Sequence, residues 1–266
     1  MFGFGKKKGP KEVSLNSDQF KFEVEPEQNV LDAALKAGVA FPHDCRVGSC
    51  GSCACKLTSG KIKATADFSY VLDGEQIKDG MILACQSRAK TPLSIDVEID
   101  SDAKASATKS YTGVVNKVTP LTHDIMELTI GVDGLEHNGA AGQYSELMVK
   151  QVGTSRSYSF AKAPQNENPN ELSFFIRNVP KGRFSKWLFD KDPTGQKLEV
   201  KTPFGSFYYR DGKGPMVCIA GGSGMSAVKA VLEQAAIDQV ERDAIYLFGA
   251  RTQDDIYSKP ELEAIQ

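Results

Sequence analysis

The stretch His43-Asp44-Cys45-Arg46-Val47-Gly48-Ser49-Cys50-Gly51-Ser52-Cys53 decides how the chain is read. Its three cysteines follow the spacing C-x4-C-x2-C, and a fourth, Cys85, stands in the turn-like stretch Leu83-Ala84-Cys85-Gln86-Ser87. Four thiolates in this pattern are the ones that hold a [2Fe–2S] cluster. Gly48, Ser49, Gly51 and Ser52 are small enough for the backbone to wrap an inorganic core and aim amide N–H groups at its sulfurs. Cys45, Cys50, Cys53 and Cys85 are therefore read as the metal ligands. The competing reading is structural zinc, which usually pairs its cysteines as two separate knuckles. Here three share one loop and the fourth is far down the chain. A disulfide framework would suit a miniature secreted domain, and nothing else in the sequence points to one. Cys55, in the strand-like Ala54-Cys55-Lys56-Leu57, and Cys218, in the apolar run Met216 to Ala220, read as buried core thiols.

At 266 residues the chain is too long for one typical core, and two or three domains are expected. A net charge of -2 makes no case for nucleic acid. No apolar run approaches the roughly 20 residues that span a bilayer, so no membrane span is expected. The start, Met1 to Lys8, carries charges with no apolar segment behind them, and residues 1–10 read as a flexible basic tail rather than a secretory signal. A cluster built on free thiolates fits a reducing compartment, so a cytoplasmic location is expected. Charge is unevenly spread: Glu12 to Asp100 holds nine Lys/Arg against fourteen Asp/Glu. That excess reads equally as a docking face for a redox partner or as ordinary solvated surface.

Around the cysteine loop, Glu12 to Leu15 and Phe20 to Val24 flank Asn16-Ser17-Asp18 as a β-hairpin. Asn29 caps a short helix over Val30 to Ala37, and Gly38 ends it. Further short strands fall near Ile62, Ile82 and Ile95 to Ile99. Pro42 to Gly60 together with Leu83 to Ser87 resembles the ferredoxin domain of the plant-type family, which implies a β-grasp fold for about the first hundred residues. Residues 101–110 lack any large apolar side chain and read as a linker.

From Tyr111 six short strands are expected: Gly113 to Val118, Ile125 to Ile130, Tyr144 to Val149, Leu172 to Arg177, Lys197 to Val200 and Ser206 to Tyr209. Their spacing suits a small antiparallel barrel. Within it lies Arg156-Ser157-Tyr158-Ser159, where an Arg fork suits phosphate and a Tyr two residues on offers a flat face to a ring. Gly182 to Ser185 opens a helix, and helix N-termini bind phosphate. Arg156-x-Tyr158-Ser159, Pro180-x-Gly182-x-x-Ser185 and Pro203-Phe204-Gly205-Ser206-Phe207 occur in the order found in the flavin domain of the ferredoxin–NADP reductase superfamily. The resemblance implies flavin phosphate binding by Arg156, ring packing by Tyr158 and a hydrogen bond near flavin N5 from Ser159. These last two are the catalytic residues it implies. It also implies pyrophosphate binding by Gly182 and Ser185.

Pro215 to Ala220, Gly221-Gly222-Ser223-Gly224 and Met225 to Ile237 read as strand, glycine turn and helix, followed by a second strand over Ala244 to Phe248. That is a dinucleotide-binding arrangement. The same resemblance gives Gly221, Gly222, Ser223, Gly224 and Met225 the nicotinamide nucleotide. Arg251 favours a 2′-phosphate and Asp254 and Asp255 oppose one; the domain order points to NADH, with NADPH the open alternative. Family members continue for several dozen residues past this point, so the nucleotide domain is expected to be incomplete and the sequence C-terminally truncated.

The expected fold class is thus multidomain α+β. A β-grasp ferredoxin domain spans 11–101, a linker 102–110, and a six-stranded antiparallel flavin-binding β-barrel 111–211. A partial Rossmann-like α/β nucleotide domain spans 212–266. This order resembles the reductase component of bacterial multicomponent oxygenases. The resemblance implies an NADH:acceptor oxidoreductase with FAD and a [2Fe–2S] cluster, whose partner is an oxygenase or a ferredoxin-like electron-acceptor protein. Redox bookkeeping agrees: NADH gives two electrons at once, a cluster near about -400 mV takes one, and a flavin mediates between them. The alternative is a non-enzymatic iron–sulfur carrier whose nucleotide portion binds no NADH.

Overall fold

The computed structural model of the protein describes residues 9–99, 108–136, 139–164 and 168–265. Most of the expected tail and linker lies outside the described residues. The chain divides into two compact units, Met1–Ala107 and Thr108–Gln266.

In the first unit, β1 (Lys11–Leu15) and β2 (Phe20–Val24) form the hairpin, with Asn16, Ser17 and Asp18 all at positive φ in its turn. Helix α1 (Val30–Lys36) starts at Asn29, whose side chain accepts from the Asp32 amide at 2.7 Å. The remaining elements are β3 (Ala54–Ser59), β4 (Ile62–Ala64), α2 (Gly74–Lys78), β5 (Met81–Leu83), β6 (Ser87–Ala89) and β7 (Leu93–Asp96). The last strand ends at Asp96, short of the expected Ile99. The main sheet runs β2-β1-β7-β3-β5, with β1 and β7 parallel at its centre, while β4 and β6 pair separately. Val13, Leu15, Val30, Leu31, Phe41, Leu83 and Ile95 pack into one core beneath α1. A mixed sheet grasping one helix is the β-grasp arrangement expected from the sequence.

The second unit opens with β8 (Lys109–Pro120), so Lys109 and Ser110 belong to a strand rather than to the linker. It is followed by β9 (Ile125–Val132), β10 (Tyr144–Val149), β11 (Thr154–Ser159), β12 (Glu171–Arg177), α3 (Arg183–Asp190) and β13 (Lys197–Phe204). These strands form an antiparallel six-stranded sheet in the order β11-β10-β13-β8-β9-β12. A bridge between Phe160 and Phe174 brings its two edges together. Leu128, Ile130, Leu147, Val149, Phe174, Ile176 and Val200 fill the interior. The expected strand over Ser206 to Tyr209 does not form, and Thr154–Ser159 supplies the sixth strand instead. The cause is local. The Arg210 guanidinium donates to the carbonyls of Ser206 (3.1 Å) and Tyr208 (3.0 Å) and stacks 3.4 Å above the Tyr208 ring, occupying backbone groups a strand would pair.

Beyond the barrel, β14 (Met216–Gly221) and β15 (Ala244–Gly249) pair in parallel, with α4 (Met225–Ile237) between them and α5 (Lys259–Glu263) after them. One face of this pair is covered. On the other, Val217, Ile219, Ile245 and Leu247 are all at least half exposed. Cys218 is half-buried rather than in the core, because the sheet here has only two strands. No described helix is long and apolar enough to cross a membrane.

Candidate iron–sulfur, flavin and nucleotide sites

The cysteine loop leaves α1 and returns into β3, and a 3-10 turn over Ala84–Gln86 carries Cys85 up from β5. The Ala84 amide donates to the Cys53 carbonyl at 3.1 Å, joining the two segments. Gly48 has φ +80°, and a Cβ there would lie 2.7 Å from Gln86 Cγ, so this turn closes only around glycine. Within the loop the Ser49 amide donates to Cys45 Sγ at 3.3 Å.

The thiols fall into two pairs. All are free thiols; Cys45 and Cys50 share a hydrogen bond, as do Cys53 and Cys85. Among the described residues, no three of these sulfurs lie within 4.8 Å of one another. One tetrahedral zinc would draw all four into a single group. Two pairs set apart match a cluster of two irons with two thiolates on each. Burial pushes the Cys45 thiol up, but bonds from Ser49, Val47 and Cys50 outweigh it and bring it down to about 6. The bond from Cys85 holds Cys53 below its ordinary range and forces Cys85 upward. Cys55 differs: burial pushes it up to about 12, so it is a neutral core thiol. The donor set fits a [2Fe–2S] cluster.

On the barrel, β11 places Arg156 and Tyr158 on one face and Ser157 and Ser159 on the other. Tyr158 packs on Phe184 of α3 with ring centroids 5.1 Å apart, which brings the helix start beside the strand. Arg156 donates to Thr154 Oγ1 and the Ser155 carbonyl, both at 2.7 Å. Gly182 caps α3. Ser185 is buried, and its hydroxyl accepts from the Val179 amide at 3.2 Å and lies 3.1 Å from the Gly182 carbonyl, closing the 179–185 loop. The side chain of Ser185 thus shapes this loop, and the first-turn amides of α3 have no carbonyl partner in their own helix. Tyr158 is thus brought beside the Gly182–Ser185 start of α3, with Arg156 on the same face of β11 and Ser159 on the other.

The glycine turn Gly221–Gly224 runs from β14 through a 3-10 turn into α4. Ser226 Oγ donates to the Ser223 carbonyl (3.0 Å) and accepts from the Phe175 amide (3.3 Å), fixing the helix start to β12. Tyr257 donates to the Gly222 carbonyl at 2.8 Å. Met225 is buried against Ile125, Ala161, Phe175 and Tyr257, so only its backbone faces the turn. A charged group unmarked by any motif sits here too. Asp124 accepts from Arg177 Nε (2.8 Å) and Arg251 (3.1 Å), and Arg251 also reaches Asp255 (3.3 Å). The sequence signal for Asp124 was a bare Thr-His-Asp turn between two strands.

Comparison with known proteins agrees with this geometry. Residues 13–90 match the 2Fe-2S iron-sulfur cluster binding domain, 112–209 the oxidoreductase FAD-binding domain and 218–266 the oxidoreductase NAD-binding domain. The chain is 38% identical over 254 residues to the xylene/toluene monooxygenase electron transfer component XylA of Pseudomonas putida, covering 96% of this chain and 71% of that protein. It is 33% identical to the terephthalate 1,2-dioxygenase reductase component 1 of a Comamonas species, across 92% of this chain and 72% of that protein. The crystal structure of the Amycolatopsis cytochrome P450 reductase GcoB superposes with a TM-score of 0.82 at 29% identity, covering 96% of this chain and 77% of that one. Two joined modules, a ferredoxin and a flavin–nucleotide unit, define the class: an iron–sulfur flavoprotein oxidoreductase. The chain belongs to the family of electron-transfer reductase components of oxygenases. Its cofactors are a [2Fe–2S] cluster, FAD and NAD, and its activity is NADH-driven electron transfer. The match to an NAD-binding domain sets aside the non-enzymatic carrier.

Proposed function

We propose that the chain is the reductase of a cytoplasmic hydroxylating oxygenase system acting on an aromatic or alkane substrate, with the residue roles read from its sequence. The observation that carries the reading is the coexistence of two thiol pairs, an Arg-x-Tyr-Ser strand and a glycine turn, each on its own matched domain. In this reading Cys45, Cys50, Cys53 and Cys85 hold the cluster. Arg156, Gly182 and Ser185 hold the flavin phosphates. Tyr158 and Ser159 orient its ring, and Gly221 to Met225 take the nicotinamide nucleotide. The boundaries 11–101, 111–211 and 212–266 are part of the proposal. The flavin supplies the conversion of a hydride into single electrons.

The acceptor face is proposed at the cysteine loop. In the first unit the exposed large apolar side chains among the described residues are Val47, Tyr70 and Ile77, with Tyr70 87% exposed. Val47 belongs to the loop and Tyr70 lies beside it, since Val71 Cγ1 lies 3.0 Å from a Cβ built on Gly51. An apolar centre in an acidic domain suits a protein partner steered by basic charge.

Anaerobic addition of NADH tests the reading. Flavin and cluster absorbance should bleach within the mixing time; cluster bands that persist until dithionite is added would refute it. A second expectation concerns the phosphate loop. A Cβ at Gly182 would sit 2.5 Å from Ser185 Oγ and 2.9 Å from the Val179 carbonyl oxygen. Gly182→Ala should therefore spring the loop open and weaken FAD binding roughly tenfold, while leaving iron content unchanged. Flavin-to-iron ratios of the purified variant check this, and a normal ratio with normal FAD affinity contradicts it.

A further inference from the structure

We propose that the Lys229–Glu233 pair is a positioning device for hydride transfer, fixing the nucleotide helix at one setting against the flavin strand. The proposal rests on the reading of Ser159 as a flavin residue and of Gly221 to Met225 as the nucleotide turn.

Ser226, Lys229 and Glu233 fall at i, i+3 and i+7 on α4, so they share one side of the helix. That side is packed inward: Ser226 is 2% and Lys229 3% exposed. Each of the three reaches backbone of the barrel. Ser226 Oγ accepts from the Phe175 amide at 3.3 Å, Lys229 Nζ donates to the Ala161 carbonyl at 3.3 Å, and Glu233 accepts from the Ala163 amide at 2.9 Å. Lys229 and Glu233 are also ion-paired with each other. The barrel segment they hold is tied on its other sides too. The Phe160 amide donates to the Gln143 carbonyl at 3.0 Å and the Ala161 amide to the Ser173 carbonyl at 2.8 Å. The Phe160–Phe174 bridge closes the sheet at the same point.

Adhesion needs no charge here. Ala230 and Val231 already join the barrel core, and apolar residues of similar volume often serve stability as well as a buried ion pair. What the pair adds is register. Apolar contact is non-directional, whereas a lysine shared between one carbonyl and one carboxylate fits one setting of the helix. The clasp has a short lever to both functional ends. Ser159 precedes Ala161 by two extended residues, about 7 Å, and Gly224 precedes Lys229 by five helical residues, about 7.5 Å. A helix that shifts here carries the glycine turn with it and alters its approach to Ser159. NADH still binds, because the turn moves as a body. The hydride, with both its electrons, passes to the flavin more slowly as NADH becomes NAD+. A misplacement of about 1 Å costs up to roughly a hundredfold in rate.

The test compares the protein with Lys229→Met and with Lys229→Met plus Glu233→Gln, which leaves no uncompensated charge. Stopped-flow flavin reduction is followed over a range of NADH concentrations, well below the Tm of each variant. Both variants should reduce flavin roughly tenfold more slowly at saturating NADH, with the half-saturating concentration within about twofold of wild type. The double variant should regain Tm without regaining rate, a split that a purely stabilising pair does not give. A second measurement needs no turnover. Tetrahydro-NAD, which cannot give up a hydride, should raise a long-wavelength charge-transfer band with the oxidised flavin of the wild type and a weaker band in both variants. Rates that recover with Tm in the double variant, or bands of wild-type strength, overturn the proposal and leave the nucleotide site standing. If Lys229→Met alone does not fold, the double variant decides by the same two readouts. A wild type whose flavin is neither reduced by NADH nor perturbed by tetrahydro-NAD overturns the site and the proposal together.

Discussion

A Cys50→Ala variant loses its iron–sulfur absorbance and its electron delivery to the oxygenase, yet still reduces ferricyanide with NADH. Cys50 is the informative choice because it is exposed, while Cys53 and Cys85 are 3% and 2% exposed within the core. Shortening either buried thiol would open a void and confuse loss of a ligand with loss of packing. At Cys50 nothing but a ligand is removed, and Cys45 is left without its partner. The flavin and nucleotide residues lie in a separate compact unit with its own core, so they keep their fold. Oxygenase-coupled turnover should drop to background while the ferricyanide rate stays within about twofold of wild type, as expected for sites in independent units. Iron analysis with visible spectra and parallel assays decides it. Full iron content, or joint loss of both activities, would contradict the assignment.

The second large effect is on stability. Lys229 is 3% exposed in α4, ion-paired with Glu233 and donating to the Ala161 carbonyl at 3.3 Å. Glu233 accepts from the Ala163 amide at 2.9 Å. The pair thus clasps the backbone just beyond Ser159, binding the nucleotide helix to the flavin strand. Lys229→Met leaves the carboxylate partly buried without its cation, which costs about 3–5 kcal/mol. In a unit of this size the Tm should fall by roughly 10 °C. Lys229→Met with Glu233→Gln should recover part of the loss, since no uncompensated charge then remains. Thermal melts followed by circular dichroism provide the measurement. A loss under about 1 kcal/mol, the range of exposed pairs, would show that water reaches the site.

Much of this was legible because some chemistry tolerates few sequences. Metal ligation fixes cysteine spacing, and a turn that must close on Gln86 needs Gly48. Helix α4 was readable to the residue, Met225–Ile237, since a glycine turn precedes it and apolar residues recur at its period. The polar Thr154–Ser159 carries little strand signal, yet pairs along its whole length with β10, because its neighbour supplies the hydrogen bonds. The inward turn of the Ser185 hydroxyl and the contacts of Asp124 depend on partners distant in sequence, which no local pattern encodes.

The unequal depth of the four sulfurs has a further meaning. Cys53 and Cys85 are sealed in hydrocarbon, whereas Cys50 stands at the water's edge. A window this thin shortens the jump to any protein pressed against it, and it leaves the same doorway open to dioxygen while no protein is there. An acceptor that fits the rim would then be both the destination of the current and its insulation.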